Sequence, residues 1–219
     1  IVSEAYELLI SPEAKHIEEV ISGVIESANS LAEQLGKTKP EINVTDNDIL
    51  VNRDVHSVLN NIFMHVFRNA MDHGIEGAEE RLGKGKSEQG NILLDVTVGH
   101  DGFAELVVQD DGRGLALGKI YDLAIEKGVV DKDSSKPKDL DIANLIFSSG
   151  FSTSNEVTDV SGRGVGMDAV KGFLEKEGGS IEIVLGDGNE GDDFRGFATK
   201  IRIPQKFYTA AFKFTKSAA

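Results

Sequence analysis

Two runs in which apolar and polar residues alternate, 91–98 and 103–109, stand on either side of His100-Asp101-Gly102. Alternation of this kind puts one row of side chains on each face of a strand, and a short Asp-Gly turn folds two such runs back on each other. The chain is therefore expected to contain an antiparallel hairpin with one face that must be covered. Segments 13–35, 54–73, 117–127, 138–146 and 165–176 read as the helices that cover it. Helical and strand patterns mix without strict βαβ alternation, and no internal repeat is visible, which points to an α+β fold.

The remaining elements fill in that outline. In 13–35, Ile17, Ile21, Val24, Ala28, Leu31 and Leu35 keep four-three spacing between Ser11-Pro12 and Gly36. This reads as a helix packed on its own domain; a dimerising coiled coil is the alternative and would need more heptads. Segments 41–45 and 49–52 are expected to form a hairpin-like pair around Asp46-Asn47-Asp48. A loop rich in glycine and lysine follows at 83–90, and 180–185 with 197–203 read as a last hairpin around an acidic loop, 186–195. The division expected is 1–36 as an N-terminal helix or linker, 37–205 as the main domain, and 206–219 as a tail.

Composition narrows the chemistry. The 219 residues are 40% hydrophobic, enough for one sizeable core, and the absence of cysteine removes disulfides and thiolate metal sites. A net charge of −14 argues against a nucleic-acid partner. No apolar run approaches the length of a membrane span, and no signal-peptide pattern opens the chain. A chain beginning at Ile1 is expected to be a piece of a longer protein. If its ligand is a polyphosphate, the acidic balance requires that Mg²⁺, helix ends and a few chosen cations meet the ligand's charge.

Four segments carry candidate chemistry. In SGRGVGMDAVKGFLEK (161–176), Gly162, Gly164 and Gly166 precede an amphipathic helix, so backbone N–H groups can close on an anion at a helix N-terminus; an isolated loop of this type is more commonly a turn. HVFRNAMDHGIE (65–76) sets His65, Asn69 and Asp72 at i, i+4 and i+7, beside an apolar stripe of Leu59, Ile62, Phe63, Val66 and Ala70. The Asn69 side-chain oxygen is a hard ligand suited to Mg²⁺, whereas His73 and Gly74, taken alone, read as an ordinary helix end. Asp110-Asp111-Gly112-Arg113-Gly114 follows an apolar strand; its first carboxylate can accept from the exocyclic amine of an adenine that the glycines let approach, although strand-ending Asp-Gly turns are common. Ile146 to Ser154, holding Phe147, Phe151 and Ser152, reads as a mobile lid or a plain surface loop.

In this order, HVFRNAMDHGIE, QDDGRGL, AIEKG and IFSSGFSTSNEVTDVSGRGVGMDAVK resemble the ATP-binding catalytic domain of CheA-type (chemotaxis) histidine kinases, within the GHKL or Bergerat ATPases, over about residues 30–204. The resemblance implies a two-layer α/β sandwich: a mixed, mainly antiparallel sheet with helices on one face and an ATP lid. It implies Asn69 as the Mg²⁺ ligand, Asp110 as the reader of the adenine amine with Gly112 and Gly114 beside the base, and the loop Gly162, Arg163, Gly164, Val165 and Gly166 on the phosphates. Phe147, Phe151 and Ser152 fall in the lid, while Asp72, His73 and Lys119 lie near the triphosphate, His65 being catalytic with Asn69. The function implied is transfer of the ATP γ-phosphoryl group to a histidine on another domain or protein. The partners implied are a histidine-containing phosphotransfer domain and then a response regulator, in the cytoplasm, with any dimer contact outside this chain.

Departures and rivals bear on that expectation. Where the family has Gly-Thr before its closing strand, this chain has Gly196-Phe197, with Thr199 two positions later. None of His16, His56, His65, His73 and His100 sits in a phosphoacceptor motif. A P-loop at Gly85-Lys86-Ser87 fails because Glu80 stands where the first glycine belongs, and GRGVG lacks the Rossmann spacing. Related ATPases that hydrolyse ATP carry a glutamate four residues before the asparagine; here that position is His65. A non-catalytic nucleotide-sensing module is the other alternative.

Overall fold

The structure, a computed structural model, describes residues 13–148, 151 and 167–210. Its centre is a five-stranded sheet formed by β2 (Glu41–Thr45), β4 (Asn91–Val98), β5 (Phe103–Asp110), β9 (Phe197–Pro204) and β7 (Ser180–Leu185), side by side in that order. β2 runs parallel to β4, and the other pairs are antiparallel. The β4–β5 hairpin is the expected one: Gly102 has φ +79° and the Asp101 carboxylate accepts the Phe103 N–H at 3.2 Å.

One row of each strand is buried: Ile92, Leu94 and Val96 on β4, Ala104, Leu106 and Val108 on β5, Thr199, Ile201 and Ile203 on β9, and Ile181 and Ile183 on β7. The helices α1 (Ile17–Gln34), α2 (Arg53–Asn69), α5 (Asp139–Asn144) and α6 (Met167–Lys176) contribute to one continuous core with those rows. Between them in sequence lie α3 (Ala78–Gly83) and α4 (Leu117–Glu126). The opposite sheet face is polar: Glu105 pairs with Lys200 at 2.9 Å and with Arg202 at 3.1 Å, and the Arg202 guanidinium lies 4.4 Å from the Phe103 ring centroid. This is the expected mixed, mainly antiparallel α+β sandwich.

Three readings are corrected. Segments 41–45 and 49–52 do not pair with each other: β2 joins the large sheet, while β3 (Ile49–Val51) pairs with β1 (Lys15–His16) and β10 (Tyr208–Ala210) in a separate small sheet. The turn between them is nevertheless tight, with Asn47 and Asp48 at φ 51° and 58° and Ile49 N–H donating to Asp46 O at 2.9 Å. The first helix spans 17–34 rather than 13–35, and its buried stripe ends on Ala32, not Leu35. Gly36 at φ +65° closes that helix in a Schellman motif, with Lys37 N–H on Ala32 O at 2.9 Å and Gly36 N–H on Glu33 O at 3.1 Å, which leaves Leu35 outside the stripe. The helix expected at 138–146 is α5 followed by a 3₁₀ turn, Leu145–Phe147.

Candidate functional site

The α2 helix buries Val55, Leu59, Ile62, Phe63 and Phe67, which leaves His65 half-buried and Asn69 exposed at its last turn. It then widens into a π-turn, Ala70–Gly74, where Ile75 N–H reaches back five residues to Ala70 O at 2.7 Å. Such turns recur where a helix must re-aim its end. Here Asp72 is half-buried, 3.8 Å from Arg68, and His73 is exposed. The carbonyls freed at this end are met by Lys37, whose Nζ donates to Met71 O and, at 2.9 Å, to Ile75 O. Burial, with Arg113 nearby, pulls the Lys37 pKa below the ordinary value for a lysine.

The π-turn abuts the end of β5. Arg113 N–H donates to Gly74 O at 3.0 Å, and Gly112 N–H donates to Asp110 Oδ1 at 2.9 Å. A Cβ on Gly112 would lie 2.4 Å from the Gly74 backbone, and one on Gly74 would lie 3.1 Å from Asp110 Oδ1, so the approach depends on two bare Cα atoms. Burial pushes the Asp110 carboxyl above the usual carboxylate range; the Gly112 N–H opposes this and the Asp111 charge adds to it. Among the described residues Gly112 N–H is the one hydrogen-bond donor to this side chain, which leaves Oδ2 available to another. Gly114, at φ +84°, has no room for a side chain either: a Cβ there would meet Arg195 O at 2.3 Å, where β6 (Leu115–Ala116) pairs with β8 (Phe194–Arg195).

Gly74, Asp110, Gly112 and Arg113 are thus joined in one place. Lys119 is exposed on α4, and no hydrogen bond or ion pair among the described residues links it, His65, Asn69 or His73 to Asp110. Phe147 is buried in the core, and Phe151 is buried with Lys127 Nζ 5.8 Å from its ring centroid. Ser152, Gly162, Arg163, Gly164, Val165 and Gly166 lie outside the described residues. Thr199 points into the core, 3% exposed, and Phe197 is partly buried on the same side of β9.

Sequence reasoning missed a charged cluster directly behind this turn. Arg81, fully buried on α3, donates to both oxygens of Asp111 at 3.0 and 2.7 Å, to Glu76 at 3.3 Å, and to Ser87 O and Gln89 O at 2.6 and 3.2 Å. The Glu76 carboxylate, also inaccessible, accepts from Lys84 at 3.2 Å and Lys86 at 3.0 Å. The readable signal was a run of three acids, Glu76, Glu79 and Glu80, followed within six residues by three bases, Arg81, Lys84 and Lys86. A cleft of about 380 Å³ opens on the cluster, lined by Lys84, Lys86, Arg113 and Phe194 among others. Its charged walls differ from the apolar lining usual for a flat base.

Burial alone would raise the Glu76 pKa, but hydrogen bonds from Lys86 and Lys84 outweigh it and hold the carboxyl at about 2. A folded value below the ordinary 4.5 means stability that is complete above that pH and lost as pH falls toward 2. At ~1.4 kcal/mol per unit this amounts to roughly 3 kcal/mol. Urea unfolding at about pH 6 and about pH 3 is expected to show about two-thirds of that loss, roughly 2 kcal/mol, and Glu76→Gln is expected to flatten the dependence.

No cluster of three or more histidine or carboxylate residues able to hold a metal ion occurs among the described residues. A metal here would rest on one or two protein oxygens plus ligand oxygens, a donor set that suits Mg²⁺ shared with phosphates and fits an exposed Asn69. No helix among the described residues is long and apolar enough to cross a membrane.

Residues 55–206 match the family of histidine kinase-, DNA gyrase B-, and HSP90-like ATPases. The chain is 38% identical over 174 residues to the chemotaxis protein CheA of Bacillus subtilis, an alignment covering 78% of this chain and 25% of that protein. It is 38% identical over 154 residues to the sensor histidine kinase CheAY of Helicobacter pylori, covering 70% and 19%. The chain therefore spans about a quarter or less of the length of these curated relatives. Among solved structures, the mycobacterial sensor histidine kinase MprB aligns with a TM-score of 0.51 at 22% identity over 88% of this chain and 97% of that one, a likeness of fold.

Proposed function

The chain belongs to the family of histidine kinase-, DNA gyrase B-, and HSP90-like ATPases, and from that premise we propose that it is the Mg·ATP-binding catalytic domain of a CheA-like kinase. It would transfer the γ-phosphoryl group to a histidine on a phosphotransfer domain, and through it to a response regulator, in the cytoplasm. The observation that carries the reading is Asp110: a half-buried carboxylate with one oxygen held by Gly112 N–H and the other open, set against the side-chain-free Gly74. An adenine amine is the donor such a carboxylate suits, and neighbouring glycines let the flat ring approach.

The roles assigned follow the order of the motifs along the chain. Asp110 Oδ2 accepts from the base amine, and Gly162, Gly164 and Gly166 offer backbone N–H groups to the phosphates. Asn69 would hold Mg²⁺, which when bound supplies charge neutralisation at the phosphate oxygens. The acceptor imidazole nitrogen attacks the γ-phosphorus in line; an N–P bond forms as the bond to the β-γ bridging oxygen breaks, and ADP leaves. Asn69 and Asp72 hold the reacting end, while His65, four residues before Asn69 on the same helix face, orients the incoming imidazole. An imidazole at that position, rather than a carboxylate that could activate water, favours transfer over hydrolysis.

The test is incubation with γ-labelled ATP, Mg²⁺ and an isolated histidine phosphotransfer domain. The expected product is acid-labile and alkali-stable. Label released only as inorganic phosphate would assign the chain to ATP hydrolysis, and binding without transfer to several acceptors would make it a nucleotide sensor. Asn69→Ala is expected to lower transfer by at least ~100-fold, as loss of a group that fixes transition-state charge does, and to weaken the Mg²⁺ dependence of ATP binding. Unchanged Mg²⁺ titrations would remove Asn69 from the metal site.

A further inference from the structure

Resting on that reading and deepening it, we propose that Lys86 is a positioning residue for the adenine-reading turn, not a ligand of phosphate. Gly85-Lys86-Ser87 has the composition of a phosphate-binding end, yet its lysine is turned to other use. Lys86 Nζ donates to Asp111 O at 2.8 Å, to Gly112 O at 2.9 Å and to Glu76 Oε1 at 3.0 Å. An ammonium group has three protons to give, and three acceptors take them. Two of these are successive carbonyls of the turn that begins at Asp110, and the third is a carboxylate with no solvent exposure of its own.

The turn is thereby gripped from two directions. The π-turn holds its amide side, through Arg113 N–H on Gly74 O at 3.0 Å and the bare contact between Gly112 and Gly74. Lys86 holds its carbonyl side. Between those grips, Gly112 N–H reaches Asp110 Oδ1 and so sets the direction of the open oxygen. Without Lys86, the carbonyls of Asp111 and Gly112 lose their shared ammonium donor, the two peptide planes are held from their amide side alone, and the carboxylate's aim loosens. Such a loss falls on recognition of the base and leaves the phosphates untouched.

ADP and ATP titrations by calorimetry, with thermal unfolding alongside, test this on the wild-type chain and on Lys86→Met, Lys86→Gln and Lys86→Arg. Lys86→Met is expected to raise the Kd of ADP and of ATP by the same factor, about tenfold, since one charged hydrogen-bond set is lost. Lys86→Arg is expected to recover most of that loss, and Lys86→Gln part of it, with Tm held within about 3 °C of wild type, the scale of a change of about 1 kcal/mol, because Glu76 keeps Arg81 and Lys84. An unchanged Kd, or a loss for ATP far exceeding that for ADP, overturns the proposal, the latter by making Lys86 a phosphate ligand. A fall in Tm that tracks affinity across the three variants also overturns it, as the mark of a folding residue. A wild-type chain that binds neither nucleotide overturns the functional reading itself, and this inference with it.

Discussion

Asp110→Asn is expected to weaken ATP binding by about 10- to 100-fold while leaving the empty protein as stable as before, or more so. The two halves of that result have separate causes. Asparagine keeps an oxygen for the Gly112 N–H, 2.9 Å from Asp110 Oδ1, so the turn retains its shape. What changes is the second oxygen, replaced by an amide that donates where the adenine amine also donates. Hydrogen bonds to charged groups contribute ~1.5–3 kcal/mol, and each ~1.4 kcal/mol is a factor of ten. The opposed donors put the expected loss at the upper end.

Stability moves the other way because of the direction in which the Asp110 carboxyl is shifted. Burial raises its pKa from the ordinary 3.8, so the folded state holds this proton more tightly than the unfolded chain does. Stability contributed by the group is present below the ordinary value and is lost as pH rises through the raised one, which leaves a penalty on the ionised group. A neutral amide removes it. Nucleotide titration together with Tm measurement at neutral pH checks both halves, and wild-type affinity in the variant would take the base away from Asp110.

The second large effect is expected at Arg81. Replacing it with methionine, close in length and apolar, is expected to cost about 3–5 kcal/mol in urea unfolding, the range for breaking a buried ion pair from one side. The guanidinium is fully buried and serves Glu76, both Asp111 oxygens and the carbonyls of Ser87 and Gln89. Its removal strands a carboxylate with no solvent exposure and two carbonyls of the 87–89 segment. Glu76 retains Lys84 and Lys86, so it is not left wholly uncompensated, and adding Glu76→Gln should recover part of the loss. A loss under 1 kcal/mol would mean that water replaces the guanidinium at low cost. Against a typical domain stability of ~5–15 kcal/mol, the expected value would leave a marginal fold.

Arg81 also illustrates why part of this molecule was hidden in its sequence. The β4–β5 hairpin was legible because alternation is a local signal, and a strand with one buried row needs no distant information to declare itself. The asparagine-bearing helix was legible for the same reason. On α3, by contrast, local reasoning would bury Leu82 and expose Arg81; the protein does the reverse, with Leu82 59% exposed. The deciding partner is Asp111, thirty residues on, and no periodicity within Ala78–Gly83 refers to it. The turn at Asn47-Asp48 fails in a related way. Its backbone has the left-handed geometry that favours a hairpin, but the strands beside it find better partners elsewhere: β2 beside β4, and β3 between β1 and β10.

The small sheet has a mechanical consequence. β1 and β10 both run antiparallel to β3, so they are parallel to each other, with Lys15 and Tyr208 flanking Val51. Tension applied at Lys15 and at Ala210 acts in opposite senses along those strands, and β3 carries it in shear while the five-stranded sheet stays unloaded. β3 leads straight into α2 through Asn52, whose N–H is bonded to Phe207 O at 2.8 Å. A pull on either flanking strand is therefore delivered to the base of the helix whose far end carries Asn69.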